Sequence, residues 1–415
     1  MTSAANIAAR PWQFALVAVL IYAAAITPAL LRHGFDPSAF IVAGDQFTHP
    51  SQLPSPIYVR PHSSGYDGQF YYRLALAPFD FRQPLYGVQI DTPAYRMQRI
   101  VYPVLAWAVS LAQPRLVPLA LLLVNLAGIT AIAVLSARLT RRLELPAIVP
   151  IAIMLWPGFL VTLTHDTTEI VSAAFVLAAL DRYFAGRWLT FAILAAVAML
   201  ARETAALVFG GLFVYEALSR NLWRAVICGL TVVPFLIWRQ SLTMIWHAVP
   251  SASAMDVLNW PLVGIVQAFT GILFGDYVIP TGVRGLILRG YAFVSIAFLV
   301  AFSALTASRI VGGRKVLVAA WLPLVALMSI LGVNGPWVEP IGFFRAFTEC
   351  WIIGCLLLDA RFAQSRFAMP AGNAGRDLDR RRLACDDHDQ LIQRHKAGPT
   401  GCRLEPGAAG RQNFD

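Results

Sequence analysis

Apolar positions along this chain arrive in uninterrupted blocks, not at the dispersed helical or strand spacing of a soluble core. Runs of about 16 to 22 residues without a charge recur, and at about 1.5 Å per residue each is long enough to cross hydrocarbon. The blocks predict membrane spans near residues 12–31, 116–137, 147–164, 169–185, 188–201, 203–219, 222–239, 286–307, 316–334 and 341–358. The expected fold class is all-α: a polytopic membrane protein of about ten transmembrane helices with a large loop after the first span. The run from Trp12 to Leu31 is longer than a signal-peptide core of about 7 to 15 residues, so it reads as a retained first span.

The basic residues orient this arrangement. With Arg10 on the cytoplasmic side, ten spans place Arg138/Arg141/Arg142, Arg182/Arg187, Arg220/Arg224 and Arg309/Arg314/Lys315 on that same side, as the positive-inside rule requires. Two further apolar stretches, Ile100–Ala112 and Val257–Phe274, would each invert the downstream clusters if counted alone as a span. They read instead as helices lying in the outer interface, a depth that suits Trp107 and Trp260. The non-cytoplasmic face then carries a loop over residues 32–115, a second over 240–285, and short turns around His165, Arg202 and Glu339. Residues 1–358 form the expected membrane domain, and 359–415 a polar, disordered cytoplasmic tail.

Composition agrees. Hydrophobic residues are 58% of the 415 and charged residues 13%, against about 25% charged in soluble domains. The net charge of +10 sits mostly in the clusters between apolar runs, and no aromatic-interleaved basic stripe points to nucleic acid. Cys228, Cys350 and Cys355 lie inside apolar runs and imply no disulfide framework. Cys385, His388, His395 and Cys402 in the tail are zinc-ligand types at a spacing that matches no standard site, so no metal is expected.

The first loop is too polar for lipid and too long for a mere connection. Within it, Gly65-Tyr66-Asp67-Gly68-Gln69-Phe70-Tyr71-Tyr72 sets one carboxylate between two glycines and beside phenols. This is either a sharp turn that exposes a reactive acid or an Asp-Gly turn with no chemistry.

The order of further motifs carries a resemblance. Arg99-Ile100-Val101-Tyr102-Pro103, a span ending in Arg138 to Arg142, a His165-Asp166-Thr167-Thr168-Glu169 turn and Leu200-Ala201-Arg202-Glu203-Thr204 follow the Asp67 loop. Over residues 12–220 this succession resembles the C-type (GT-C) membrane glycosyltransferases. The likeness is to their mannosyltransferase-like branch and to bacterial proteins of cell-surface glycopolymer formation. The resemblance implies a helical membrane fold with an active site at the outer face of a bacterial inner membrane. It also implies a sugar donor on a polyprenyl phosphate, a glycan or lipid acceptor, no cofactor, and a first-loop acid acting as base, a role that falls on Asp67. The chain departs from the family where a second acid often accompanies the first, since Gly68 follows Asp67.

Such a transfer deprotonates the acceptor hydroxyl, while the phosphate leaves already anionic and needs positive charge in place of an acid. Arg96, Arg99, Arg202 and Arg345 are the candidates for that charge, each also readable as an interfacial anchor. Arg202 and Arg345 lead, because a charge near the end of a span is costly unless paired or functional. Tyr66, Gln69, Tyr72, His165, Asp166, Glu169 and Glu203 are the candidate substrate contacts. Asp166 or Thr167 could equally cap the following helix, and Glu203 and Glu349 could serve as structural partners of the arginines. The competing functions are a transporter or flippase of lipid-linked glycans and a non-catalytic scaffold for surface polysaccharide assembly.

Overall fold

The structure, a computed structural model, describes residues 11–250, 257–274, 282–311, 314–333, 336–338 and 340–358. Arg10, the turn at Glu339 and the tail with Cys385, His388, His395 and Cys402 lie outside the described residues.

The first apolar run forms α1 (Pro11–Arg32). The polar loop then folds on its own before the next long helix. Two short strands, β1 (Ala43–Gly44) and β2 (Val59–Arg60), pair in parallel, followed by α2 (Gly68–Leu76), α3 (Pro93–Met97) and α4 (Val101–Val109). The bundle continues with α5 (Val117–Arg142), α6 (Ile148–Met154), α7 (Pro157–Thr164), α8 (Glu169–Phe184) and α9 (Trp188–Ala201). Then come α10 (Ala205–Leu218), α11 (Leu222–Leu230), α12 (Val233–Trp246) and α13 (Val263–Phe274). The last are α14 (Val283–Ala307), α15 (Lys315–Ile330), α16 (Pro340–Ala346) and α17 (Thr348–Leu358).

Four helical stretches are long and apolar enough to cross a membrane: Pro11–Arg32, Pro114–Arg142, Leu222–Trp246 and Gly285–Ala307. The other apolar helices are shorter, so length and composition alone do not carry all ten expected spans. Part of the reason is local. The run 147–164 breaks ahead of Pro157, whose ring holds Trp156 extended and removes a backbone donor. One carbonyl freed there, that of Met154, accepts a 2.8 Å hydrogen bond from Tyr22 of α1. The run 341–358 is likewise divided at Phe347. The helix expected to stop at residue 239 instead resumes after a break at Thr231–Val232 and continues through α12 to Trp246. The two stretches read as interfacial form α4 and α13.

Two apolar cores result. The larger packs α1 and α5 to α10 against α14 to α17, with Trp156 fully buried and stacked on Trp351 at 4.8 Å between ring centroids. The smaller lies beneath the first loop, where Phe70, Tyr71, Met97 and Tyr102 meet Leu121 and Leu242. The loop is thus a folded layer clamped onto one end of the bundle. At the other end, the buried Asp181 of α8 gathers Arg138 at 3.2 Å, Arg142 at 3.4 Å and Arg182 at 2.7 Å.

Helices α10 and α15 meet at a glycine. A Cβ at Gly211 would lie 1.9 Å from the carbonyl oxygen of Ala319, whereas one at the neighbouring Gly210 would meet nothing within 4 Å. Gly211→Ala should therefore force the helices apart and cost about 1–3 kcal/mol. Gly210→Ala should gain up to about 1 kcal/mol from helix propensity. Unfolding of the two variants in detergent, followed by circular dichroism, checks the opposite signs.

Candidate functional site

The two glycines flanking Asp67 act for different reasons. Gly65 has φ +68°, and its α-carbon backs onto Gly44 so closely that a Cβ would lie 2.5 Å from the Gly44 nitrogen. Gly68 begins α2 and presses on the turn between α7 and α8, where a Cβ would lie 2.5 Å from the carbonyl oxygen of His165. Gln69 locks the turn from inside the loop. Its Oε1 accepts from the backbone N–H of Gly44 and the hydroxyl of Thr48, and its Nε2 donates to the carbonyl of Ser64. The motif thereby holds Asp67 over the end of the bundle.

There Asp67 is bracketed by two arginines. Arg96 of α3 donates to Oδ1 at 2.8 Å, and Arg345 of α16 donates to Oδ2 at 2.9 Å. Arg345 also binds Glu169, the first residue of α8, at 2.8 Å, and lies over the Tyr66 ring at 5.0 Å. Arg202, between α9 and α10, donates to Glu349 of α17 at 2.8 Å and has its Nε 4.0 Å from Glu169. Arg99 donates to Glu203 at 2.8 Å and to the Tyr71 hydroxyl at 3.3 Å. Arg96 is also held by Asp91 at 2.8 Å.

Arginine suits this arrangement, because one planar guanidinium can serve two carboxylates at once. The depths differ. The side chains of Glu169 and Glu349 are 1% exposed, those of Asp67 and Glu203 19% and 27%. Asp67 and Glu203, with Asp91 at 29%, are therefore the carboxylates an incoming molecule meets first.

Burial disfavours ionisation of Asp67, but Arg345, Arg96 and Arg99 outweigh it and hold the carboxyl below its ordinary range. Asp67 is consequently a carboxylate at neutral pH. His165 behaves oppositely. Burial pushes its imidazole down to about 4 despite the hydrogen bond to the Val161 carbonyl, so the ring is neutral where it packs edge-on against Tyr66 at 4.9 Å.

The candidates do not all converge. Asp67, Arg96, Arg99, Arg202, Arg345, Glu169 and Glu203 form one linked network, with Tyr66 and His165 at its side. Asp166 turns away: with φ +44° and no exposure, it faces the Tyr102 hydroxyl at 3.4 Å. Burial raises its carboxyl well above the usual range. Tyr72 is fully buried in the loop core, and Gln69 has its amide committed within the loop.

Sequence reasoning had passed over Asp91, Tyr71 and Asn125. Asp91 was legible in principle, since an acid ahead of Thr92-Pro93 starts a helix that points back to Arg96. Asn125, whose amide donates to the Tyr102 hydroxyl at 2.9 Å, was the one strongly polar side chain in its apolar run. Among the described residues, no group of three or more His, Cys, Asp or Glu side chains is arranged to hold a metal ion. Comparisons with protein-family models, with curated proteins and with solved structures return no match.

The buried Arg202–Glu349 pair should be tightly coupled. Removing either partner alone leaves an uncompensated charge, a loss of about 3–5 kcal/mol, whereas Arg202→Met/Glu349→Leu together should recover much of it. A double-mutant cycle on unfolding in detergent checks this, and additive losses would show that the two charges are independent.

Proposed function

We propose that the chain is an inverting membrane glycosyltransferase of GT-C type, with Asp67 as its base and the arginines around it as its phosphate site. The observation that carries the reading is a partly exposed carboxylate held between two guanidiniums on a folded loop, at the end of an apolar helical bundle. In this reading the ten apolar runs span a bacterial inner membrane and the Asp67 loop lies on its periplasmic side. The donor is a polyprenyl-phosphate sugar and the acceptor a cell-envelope glycan or lipid. The acceptor oxygen attacks the anomeric carbon while Asp67 takes its proton. The bond from that carbon to the phosphate oxygen breaks, and the electron pair leaves with the phosphate.

Charge balance defines how the donor enters. Asp67, Asp91, Glu169, Glu203 and Glu349 together outweigh Arg96, Arg99, Arg202 and Arg345 by one negative charge. A phosphate gains nothing from arginines that are already neutralised, so it binds by displacing a carboxylate. Asp67 is the one that is both accessible and shared between two arginines, Arg345 and Arg96. Its displacement hands Arg345 and Arg96 to the phosphate and releases Asp67 toward the acceptor, so donor binding and base activation are one event. As its arginine contacts are lost, the pKa of Asp67 rises and its basicity with it.

A second reading draws on the broken helices. The breaks between α6 and α7 and between α16 and α17 divide apolar runs, a feature of transporters that bind substrates between half-helices. Movement of a lipid-linked glycan across proteoliposomes without any transfer product would favour it over the enzyme.

Transfer from labelled lipid-linked sugars should fall about 10²–10⁴-fold in Asp67→Asn, and full activity in that variant would exclude the base. Asp67 has a lowered pKa in the free protein, so activity is present above that pKa and lost as pH falls through it. Release from the arginines raises the pKa in the complex. The acid limb of kcat should therefore lie at higher pH than that of kcat/KM, and coincident limbs would contradict the exchange.

A further inference from the structure

A groove of about 910 Å³ runs between α10 and α15, away from the Asp67 network. Its walls are apolar from Ala206 and Leu207 to Leu218, and from Leu322 and Pro323 back to Val318. Polar lining groups, Tyr215, Ser219 and Lys315, gather toward one end, where the C-terminus of α10 meets the N-terminus of α15. At about 1.5 Å per residue, the 14 residues of α10 give the groove a length of about 20 Å. That is enough for one lipid chain, since each leaflet contributes about 15 Å of hydrocarbon.

Two features separate this groove from ordinary lipid-facing surface. The first is Gly210. Gly211 beside it is required by the backbone of Ala319, but Gly210 faces open space and lines the groove. A glycine inside a helix is less favourable than alanine, and here no packing contact offsets that cost. What it preserves is depth in the groove.

The second feature is charge. Lys315 lines the polar end, and Arg314, Arg309 and Arg220 directly adjoin the lining residues Lys315, Ile310 and Ser219 in sequence. Glu216 is the one acid in residues 206–224 or 305–330, and its two oxygens accept from Tyr183 and Asn221. The end is cationic: Lys315 lines it, while Arg314 beside it turns its guanidinium to the Leu143 carbonyl at 2.8 Å.

We infer that this groove is a binding site for one anionic phospholipid. An acyl chain lies along Gly210 between α10 and α15, and the headgroup phosphate meets Lys315 with the hydroxyls of Ser219 and Tyr215. The site is distinct from the Asp67 network and does not depend on sugar transfer.

Native mass spectrometry of the full chain in detergent, titrated with phosphatidylglycerol or with phosphatidylcholine, tests the assignment. One phosphatidylglycerol should be retained in preference to phosphatidylcholine. Lys315→Gln should weaken retention about fivefold, the worth of one basic residue at an anionic surface. Gly210→Leu, which fills the groove with a better helix former, should abolish the preference while leaving the unfolding temperature in lipid-free detergent undiminished. Equal retention of both lipids, or an unchanged preference in Gly210→Leu, would overturn the site. Should Gly210→Leu fail to fold, Lys315→Gln decides alone, and undiminished preference there is equally fatal. A polyprenyl phosphate retained more strongly than phosphatidylglycerol, and lost in Gly210→Leu, would reassign the groove to a different lipid and refute the phospholipid proposal.

Discussion

The guanidinium of Arg345, shared between Asp67 and Glu169, is the contact on which the arrangement of this protein depends. Charges removed from water persist only when each finds a partner, and here each partner comes from a different part of the chain. Asp67 arrives on the first loop, Glu169 at the start of α8, and Arg345 on a short helix near the end of the described residues. Arg202 and Glu349 add a second tie between the α9–α10 turn and α17. The loop, the middle of the bundle and its last helices are thereby held at one point by electrostatics, while the apolar cores define only how the helices pack around it.

That network also fixes the chemical character of the site. A cluster of free arginines would attract any anion. In the proposed exchange, arginines saturated by carboxylates bind only a ligand that offers more than the carboxylate it replaces, and Asp67, accessible and shared between two arginines, is the group that yields. In that proposed exchange the deeper Glu169 and Glu349 keep Arg345 and Arg202 anchored. The opposite end of the bundle has the reverse balance, with three arginines around the single buried Asp181.

Much of this was legible before any coordinates. Helical character, the position of the folded loop and the prominence of Arg202 and Arg345 follow from apolar run lengths and from charges placed at their ends, whereas Asp67 stood out through its motif and the family resemblance. The breaks ahead of Pro157 and at Phe347 were less visible, because hydropathy is blind to a backbone donor lost within an apolar run. The inward turn of Asp166 was hidden too. Its direction depends on a left-handed backbone angle and on Tyr102 and Asn125, whose proximity is created only by packing. Gln69 is a related case: a polar side chain beside an acid in a loop looks like a ligand contact, yet here its amide holds the loop closed.

The separation of Asp67 and Arg345 along the chain bears on how the protein is made. The two residues are 278 positions apart, so a growing chain exposes the acidic loop long before its cationic partner leaves the ribosome. Arg96 can screen Asp67 early, but Glu169 must wait for Arg202 and Arg345, and Arg202 for Glu349 of α17. Interrupted synthesis therefore yields a chain in which Asp67, Glu169 and Arg202 each lack a partner of the finished network, a ready mark by which an unfinished molecule differs from a finished one.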